Sequence, residues 1–400
     1  MILRSWPLFI LLIILPDYFL YRRFVAGRTT SVAWRVAWWI PTVVLTIYTV
    51  ILTGTTNFTP ENPRLLNLYL LVLGVFTLPK ALTALTVWVA DWIGRRRHWH
   101  RHWGLAVGLA MGVVPAWVTI WGSFVGFQKL EVNRVDCYFD DLPQGFDGYR
   151  IAVFSDAHVG SYTGADSTVL IRAVDSLKTM KADAIVFLGD LQNIGPWEIK
   201  ERKHVLSSLS APDGVFSILG NHDYSAYQGG GFRRKLAQEK QTEQAERELG
   251  WQLLLNSNVV LRHRGDSIKL CGMEGNEKEG ADHGIGLIHK ALEGVDKGQF
   301  AILLAHNPRI WRKYALPLSD VQLTLSGHTH GGQMSLFGLS TTSLFYPEDD
   351  GLYEEGNRKL FVTRGLGALI PLRFNVTGEV VLLTLHRQTN PPQASTYTHP

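Results

Sequence analysis

Five short segments of this chain hold residues suited to metal chemistry: Asp156-x-His158, Gly189-Asp190, Gly220-Asn221-His222-Asp223, His306 and Gly327-His328-Thr329-His330. Imidazole nitrogens, carboxylates and an amide oxygen, with no thiolate among them, suit Mn, Fe or Zn rather than calcium. Asp156, His158, Asp190, Asn221, His306, His328 and His330 are the candidate ligands, too many for one ion and enough for two that share a carboxylate. Side chains alternate along an extended segment, so Asp-x-His and His-x-His each turn two ligands to one side. Glycines ahead of Asp190, Asn221 and His328 let the chain turn sharply and bring backbone close to an anion. Taken singly, such motifs are weak, because Asp-x-His arises by chance and a histidine after a strand is commonly just solvated. Their order and repeated placement carry the reading.

That placement is at the ends of strands. Short β-branched runs at Ile151 to Phe154, Ala184 to Leu188, Val215 to Leu219, Ile268 to Cys271, Phe300 to Leu304 and Val321 to Leu325 have the continuous apolar character of strands buried on both faces. The metal-type residues follow five of these runs directly, and the carboxyl ends of strands in an α/β sheet converge on one rim. Val169 to Met180 and Phe232 to Leu249 read as helices.

The first third of the chain has a different character. It holds ten of the 13 tryptophans and long apolar runs, as in a polytopic membrane region. Trp34 to Leu52, Leu65 to Ile93 and Gly104 to Phe127 read as spans. Trp6 to Leu20 is shorter and contains Pro7, Pro16 and Asp17, so it is a fourth span or a signal-peptide core. Four spans are favoured, because a cleaved signal would leave Arg22, Arg23 and Arg28 outside the cytoplasm. Basic residues at Arg22 to Arg35 and Arg95 to Arg101 make the first and third loops cytoplasmic, which puts the segment beyond Phe127 outside. Asp17 and Lys80 are expensive in lipid and either face each other or snorkel; helix packing is the plainer reading and transport the sharper one. The expected division is a transmembrane region over residues 1–133, a catalytic α/β domain over 134–387 and a flexible tail over 388–400.

Charge and cysteine content exclude several classes. Of 39 Lys+Arg and 35 Asp+Glu, 12 basic and 4 acidic residues precede Arg134, so the remainder is mildly acidic and no nucleic-acid partner is expected. Cys137 and Cys271 are too few for a disulfide scaffold or a cysteine zinc site, and they either bridge or remain unpaired.

In order and spacing, the five segments resemble the signature of the calcineurin-like metallophosphoesterases. The continuation Gly331-Gly332-Gln333 and the later Thr363-Arg364-Gly365-Leu366-Gly367 are similar to the membrane-associated branch of that family. The resemblance covers about residues 146 to 386. It implies two mixed β-sheets sandwiched and flanked by helices, with a dinuclear site at one edge. It also implies that Asp156, His158 and His330 hold one metal, that Asn221, His306 and His328 hold the second, and that Asp190 bridges them. Asn193 departs from the pattern, standing where relatives often have a carboxylate.

The chemistry so implied is phosphoester hydrolysis with two divalent ions (Mn2+, Fe2+ or Zn2+). The ions neutralise phosphoryl oxygens and acidify a bridging water, and the resulting hydroxide attacks phosphorus in line. His222 then protonates the leaving oxygen. Asp223 either orients His222 or is a plain turn carboxylate, and Arg364 either binds phosphate or is structural. Tethering to the lipid bilayer favours a phospholipid or glycolipid phosphoester or pyrophosphate as substrate. A non-lipid phosphodiesterase of nucleotide or nuclease type, or a membrane binding protein that has lost catalysis, are the alternatives, and the complete ligand set argues against the last. The segment from Tyr224 to Trp251 reads as a surface helix after a Gly-rich loop or, less plainly, as a lid or membrane-dipping insertion.

Overall fold

The computed structural model describes residues 6–56, 60, 62–97, 103–162, 167–225, 231–274 and 281–388. Arg101, Gly229, Gly230 and the tail from residue 389 lie outside the described residues. The chain forms two compact units, one of N-terminal helices through Val125 and one that begins at Gly126.

The first unit contains α1 (Trp6–Leu20), α2 (Val32–Thr56), α3 (Pro63–Val72), α4 (Leu78–Arg97) and α5 (Trp103–Trp121). Wider helical turns at Tyr21–Val25 and Leu73–Thr77 extend α1 and join α3 to α4. Three stretches, Val32–Gly54, Pro63–Gly94 and Trp103–Gly126, are long and apolar enough to cross a membrane. Asn62 caps α3 by accepting from the Arg64 amide at 3.0 Å, with Pro63 in the first turn where its missing N–H costs nothing. Gly104, Gly108 and Gly112 form a seam on α5 that lets it approach α4 closely: a Cβ at Gly108 would stand 2.2 Å from Thr86 Oγ1. Asp17, 2% exposed, faces Lys80, whose Nζ lies 2.9 Å from Oδ1, and Thr42 donates to the same carboxylate. Pairing is thus how these two expensive groups are tolerated.

In the second unit the strands run β1 (Leu130–Phe139), β2 (Arg150–Phe154), β3 (Ala184–Phe187), β4 (Val215–Ser217), β5 (Gln252–Leu253), β6 (Ser257–His263) and β7 (Asp266–Met273). They continue as β8 (Ala301–Ala305), β9 (Leu323–Ser326), β10 (Ser335–Leu336), β11 (Leu339–Ser340), β12 (Gly351–Glu355), β13 (Arg358–Val362) and β14 (Gly378–Arg387). Two six-stranded mixed sheets result, ordered β1-β14-β2-β3-β4-β5 and β12-β13-β9-β8-β7-β6, with β10-β11 as a separate hairpin. The core between the sheets gathers Ile151, Val153, Val186, Leu270, Ile302, Leu325 and Leu383, while α6 (Ser167–Thr179), α7 (Trp197–Leu206) and α9 (Ala281–Ala291) cover the outer faces. Continuous apolar runs become the central parallel strands because both of their faces are buried.

Each run expected to be a strand falls within β2, β3, β4, β7, β8 or β9, give or take a residue or two at the ends. β1 opens at Leu130, ahead of the composition change at Arg134, and its buried residues begin only at Val135, so its first half lacks the apolar run that marks the other strands. The stretch after Gly231 forms α8 (Phe232–Arg247), not a projecting insertion: Ala245 and Leu249 join the core and the Thr242 hydroxyl donates to Gln192 Oε1 at 3.0 Å. Cys137 and Cys271 are both free and both buried.

Candidate metal centre

The loops after β2, β3, β4, β8 and β9 bring Asp156, His158, Asp190, Asn221, His306, His328 and His330 together. The means differ from simple extended alternation. Asp156, His158, Asp190, His328 and His330 all have positive φ, at 51°, 44°, 60°, 73° and 55°. Five non-glycine residues in this sparsely populated region are held there by the surrounding structure, and such strain concentrates where side-chain direction matters. The Asp156 amide donates to Gly189 O at 2.9 Å and the His158 amide to Asp190 O at 3.1 Å, locking the first loop against the second. Gly220 and Gly327 are required by close approach: a Cβ at Gly220 would lie 2.3 Å from Asp190 Oδ1, and one at Gly327 would lie 2.1 Å from Ser155 Oγ.

Both aspartates divide their oxygens in the same manner. Asp190 Oδ1 accepts from the His222 amide at 2.7 Å, and its Oδ2 lies 3.2 Å from His306 Nε2 and 3.8 Å from His158 Nε2. Asp156 Oδ2 accepts from the His328 amide at 3.0 Å, and its Oδ1 lies 3.5 Å from His330 Nε2. Around His306 Nε2, Asn221 Oδ1 and His328 Nδ1 both stand at 3.2 Å. The imidazoles are aimed from behind: His306 Nδ1 donates to Leu188 O at 2.8 Å, His330 Nδ1 to Gly367 O at 3.2 Å, and His328 Nε2 meets Tyr346 Oη at 2.9 Å. Such outer contacts select the ring nitrogen turned inward.

Asp156 Oδ1 and both ring nitrogens of His158 are buried without a hydrogen-bond partner among the described residues. Orphaned buried acceptors are costly, and a cation removes the cost. Burial lowers the pKa of His158, His330 and His328, the last to about 3, so each presents a neutral lone pair. Burial also disfavours charge on His306, but the Asp190 carboxylate outweighs it and pushes His306 up to about 10. Three groups could each hold an ion: Asp156, His158 and His330; Asp190, His306 and His328; and His158, Asp190 and His222.

Several supporting residues have roles that local sequence does not announce. The Asp223 carboxylate accepts from the amides of Asp190 (2.7 Å), Gly220 (2.9 Å) and Leu191 (3.0 Å), clamping together two loops that carry candidate ligands. Asn193 supplies the orienting group through its main-chain oxygen, 2.8 Å from His222 Nδ1, while its side chain donates to Ser161 Oγ at 2.7 Å. Arg364 is occupied by Glu379 (2.9 Å), Glu131 (3.1 Å) and Asp350 (3.6 Å), which leaves the structural role and not phosphate binding. Sequence reasoning passed over Arg373, whose fully buried guanidinium donates to the carbonyls of Arg364, Gly365 and Gly367 and so holds the loop that aims His330. It also passed over Glu198, a buried carboxylate accepting from the Asn193 amide at 2.6 Å. No motif surrounds either residue.

A buried set of histidines and aspartates at the carboxyl edge of a double sheet is an arrangement suited to divalent metal ions. Residues 149–332 match the calcineurin-like phosphoesterase family, and residues 3–127 match the transmembrane domain described for calcineurin-like phosphoesterases. The uncharacterized metallophosphoesterase YkuE of Bacillus subtilis is 32% identical over 260 residues, covering 62% of this chain and 82% of that protein. The transmembrane protein with metallophosphoesterase domain of Danio rerio is 28% identical, covering 66% of this chain and 60% of the fish protein. The UDP-2,3-diacylglucosamine pyrophosphatase LpxG of Chlamydia trachomatis is 28% identical over 66% of this chain and 92% of its own length. The chain belongs to the calcineurin-like metallophosphoesterases, metal-dependent phosphoester hydrolases, and it is a membrane protein.

Proposed function

We propose that this chain is a membrane-anchored two-metal phosphohydrolase that cleaves a phosphoester or pyrophosphate of a lipid-linked substrate. The observation that carries the reading is the double address of Asp190 Oδ2, which faces His306 at 3.2 Å and His158 at 3.8 Å, two histidines of separate donor groups. On this reading Asp156, His158 and His330 would hold one ion, Asn221, His306 and His328 would hold the other, and Asp190 would be shared. Two Mn2+, Fe2+ or Zn2+ ions suit the donors. When bound, they supply charge neutralisation for the phosphoryl group and acidify water.

The protein's own contribution to proton transfer is His222. Its Nδ1–H donates to Asn193 O, so as a general acid the ring acts in its doubly protonated form, giving the second proton, on Nε2, to the leaving oxygen. Asp223 and Arg373 act on the site only by fixing loop geometry.

Two features support a lipid-linked substrate: the membrane-spanning helices, and the likeness to a protein named as a pyrophosphatase of a diacylated sugar nucleotide. The proposed division is residues 1–133 in the membrane, 134–387 catalytic and 388–400 a tail. In the membrane part α1 is a fourth span; it packs Ile13 with Leu45, Leu66 and Tyr69. The basic loops orient the catalytic domain outside the cytoplasm. The test is a substrate panel on the purified full chain with Mn2+. Cleavage of lipid-linked phosphoesters or pyrophosphates is expected, and turnover confined to soluble nucleotides would reject the lipid assignment.

A further inference from the structure

An apolar projection stands beside the metal centre. Between Gly331 and Pro347 the sequence contains no Asp, Glu, Lys or Arg. Within it β10 and β11 pair Leu336 with Leu339 across a two-residue turn, Phe337-Gly338. Phe337 is 96% exposed, Leu344 83%, Leu339 70% and Phe345 69%, with Leu336 and Met334 also exposed. Soluble domains seldom leave so many large apolar side chains contiguous in water.

The turn itself argues that the tip is there for its side chain. Both central residues have positive φ, 52° at Phe337 and 79° at Gly338, the geometry of a type I′ turn, which asparagine, aspartate or glycine adopts most readily. An aromatic residue at the first position raises the conformational cost and presents a phenyl ring to solvent. The base, in contrast, is stitched down. The Ser335 amide donates to Phe374 O at 3.0 Å, Thr341 Oγ1 to Gly332 O at 2.5 Å and the Tyr346 amide to Thr342 O at 2.9 Å. Tyr346 in turn reaches the candidate ligand His328, so the projection and the metal centre share one rim.

At that base an exposed arginine completes an interfacial pattern. Arg309 donates to Phe345 O at 3.0 Å, and its guanidinium lies 4.2 Å from the Tyr346 ring centroid. Aromatic and leucine tips with a cation behind them match the gradient from acyl chains to phosphate, while the flank hydroxyls of Ser340 and Thr342 are tied to Asp349 and help fix the base. We propose that this hairpin docks into the interfacial layer of a lipid bilayer and holds the rim of the metal centre against the membrane surface. The bilayer is the chosen occupant because the chain carries its own membrane spans, and because the cation at the base complements lipid phosphate. The proposal does not depend on which phosphoester is cleaved.

The test measures depth, not activity. Nitroxide labels are placed at Phe337→Cys and Leu344→Cys, and at the exposed Lys297→Cys as a reference, in the full chain reconstituted into phosphatidylcholine–phosphatidylglycerol vesicles; Cys137 and Cys271 are buried. Collision with oxygen, which concentrates in bilayers, is compared with collision with a water-soluble chromium complex. Labels at 337 and 344 should meet oxygen several-fold more than the complex, and the label at 297 should show the reverse. A water-like profile at 337 and 344 would overturn the proposal. Shielding from both reagents would overturn it too, by showing that protein covers the patch. Should either labelled variant fail to fold, Leu339→Cys provides the same reading.

Discussion

His222 Nδ1 lies 2.8 Å from the main-chain oxygen of Asn193, so the ring is oriented by a carbonyl that no side-chain substitution at position 193 removes. His222→Ala should leave the metals bound and lower kcat by roughly 10² to 10⁴, the span of lost general acid catalysis. The loss should be greatest for an alkyl alcohol leaving group and smallest for p-nitrophenolate, which departs without a proton. Equal losses on both substrates would show that the ring only positions substrate.

Asp190→Ala should abolish metal content and turnover together, by elemental analysis and by assay. Metal removal has a readout apart from activity. Because Asp156 Oδ1 and the His158 nitrogens lack partners among the described residues, chelation should lower the melting temperature of the wild type, and Mn²⁺ should restore it. An ion at a hundred times its dissociation constant stabilises by about 2.7 kcal/mol. The Asp190→Ala variant should melt at one temperature with or without chelator.

Glu198 makes stability depend on pH. Burial pushes its carboxyl from 4.5 up to about 7, so the folded state disfavours the charged form. The penalty is absent below pH 4.5, grows through the window to 7 and is complete above it, at most about 3 kcal/mol. Glu198→Gln keeps an acceptor for the Asn193 amide and removes the titration. Measured in chelator, its melting temperature should gain on the wild type between pH 5 and 8, whereas parallel profiles would assign the buried charge elsewhere.

In the membrane unit, Lys80→Met leaves the Asp17 carboxylate buried without its cation and should cost about 3–5 kcal/mol. Asp17→Asn combined with Lys80→Met should recover most of that loss in detergent melts. A double variant as unstable as the single one would mean that the pair is not the source of the loss.

Orientation can be read with one engineered thiol, since the native cysteines are buried. Lys297→Cys should react with a membrane-impermeant maleimide in intact cells. Labelling only after permeabilisation would place the catalytic domain in the cytoplasm.

Sequence alone marked the apolar N-terminal runs and the residues of metal-binding type. Both are local properties: an apolar run is long enough to span lipid or it is not, and residues at the ends of buried strands meet because parallel strands share a rim. Sequence leaves Asp17 and Lys80 to pair or to snorkel, and contacts between helices decide for the pair. Tertiary structure alone decided how the candidate ligands are aimed, because the left-handed backbone at Asp156, His158, Asp190, His328 and His330 is imposed by neighbouring loops and not by residue preference. It likewise committed Arg364 to Glu379, brought Arg373 under the His330 loop, and turned Asp223 into a clamp for backbone amides. Each of these partners comes from a distant segment or an amide freed by a turn, so no spacing rule contains it. The hairpin at Phe337 was hidden for the converse reason: its leucines and phenylalanines resemble core residues in sequence, and only the packed fold leaves them in solvent.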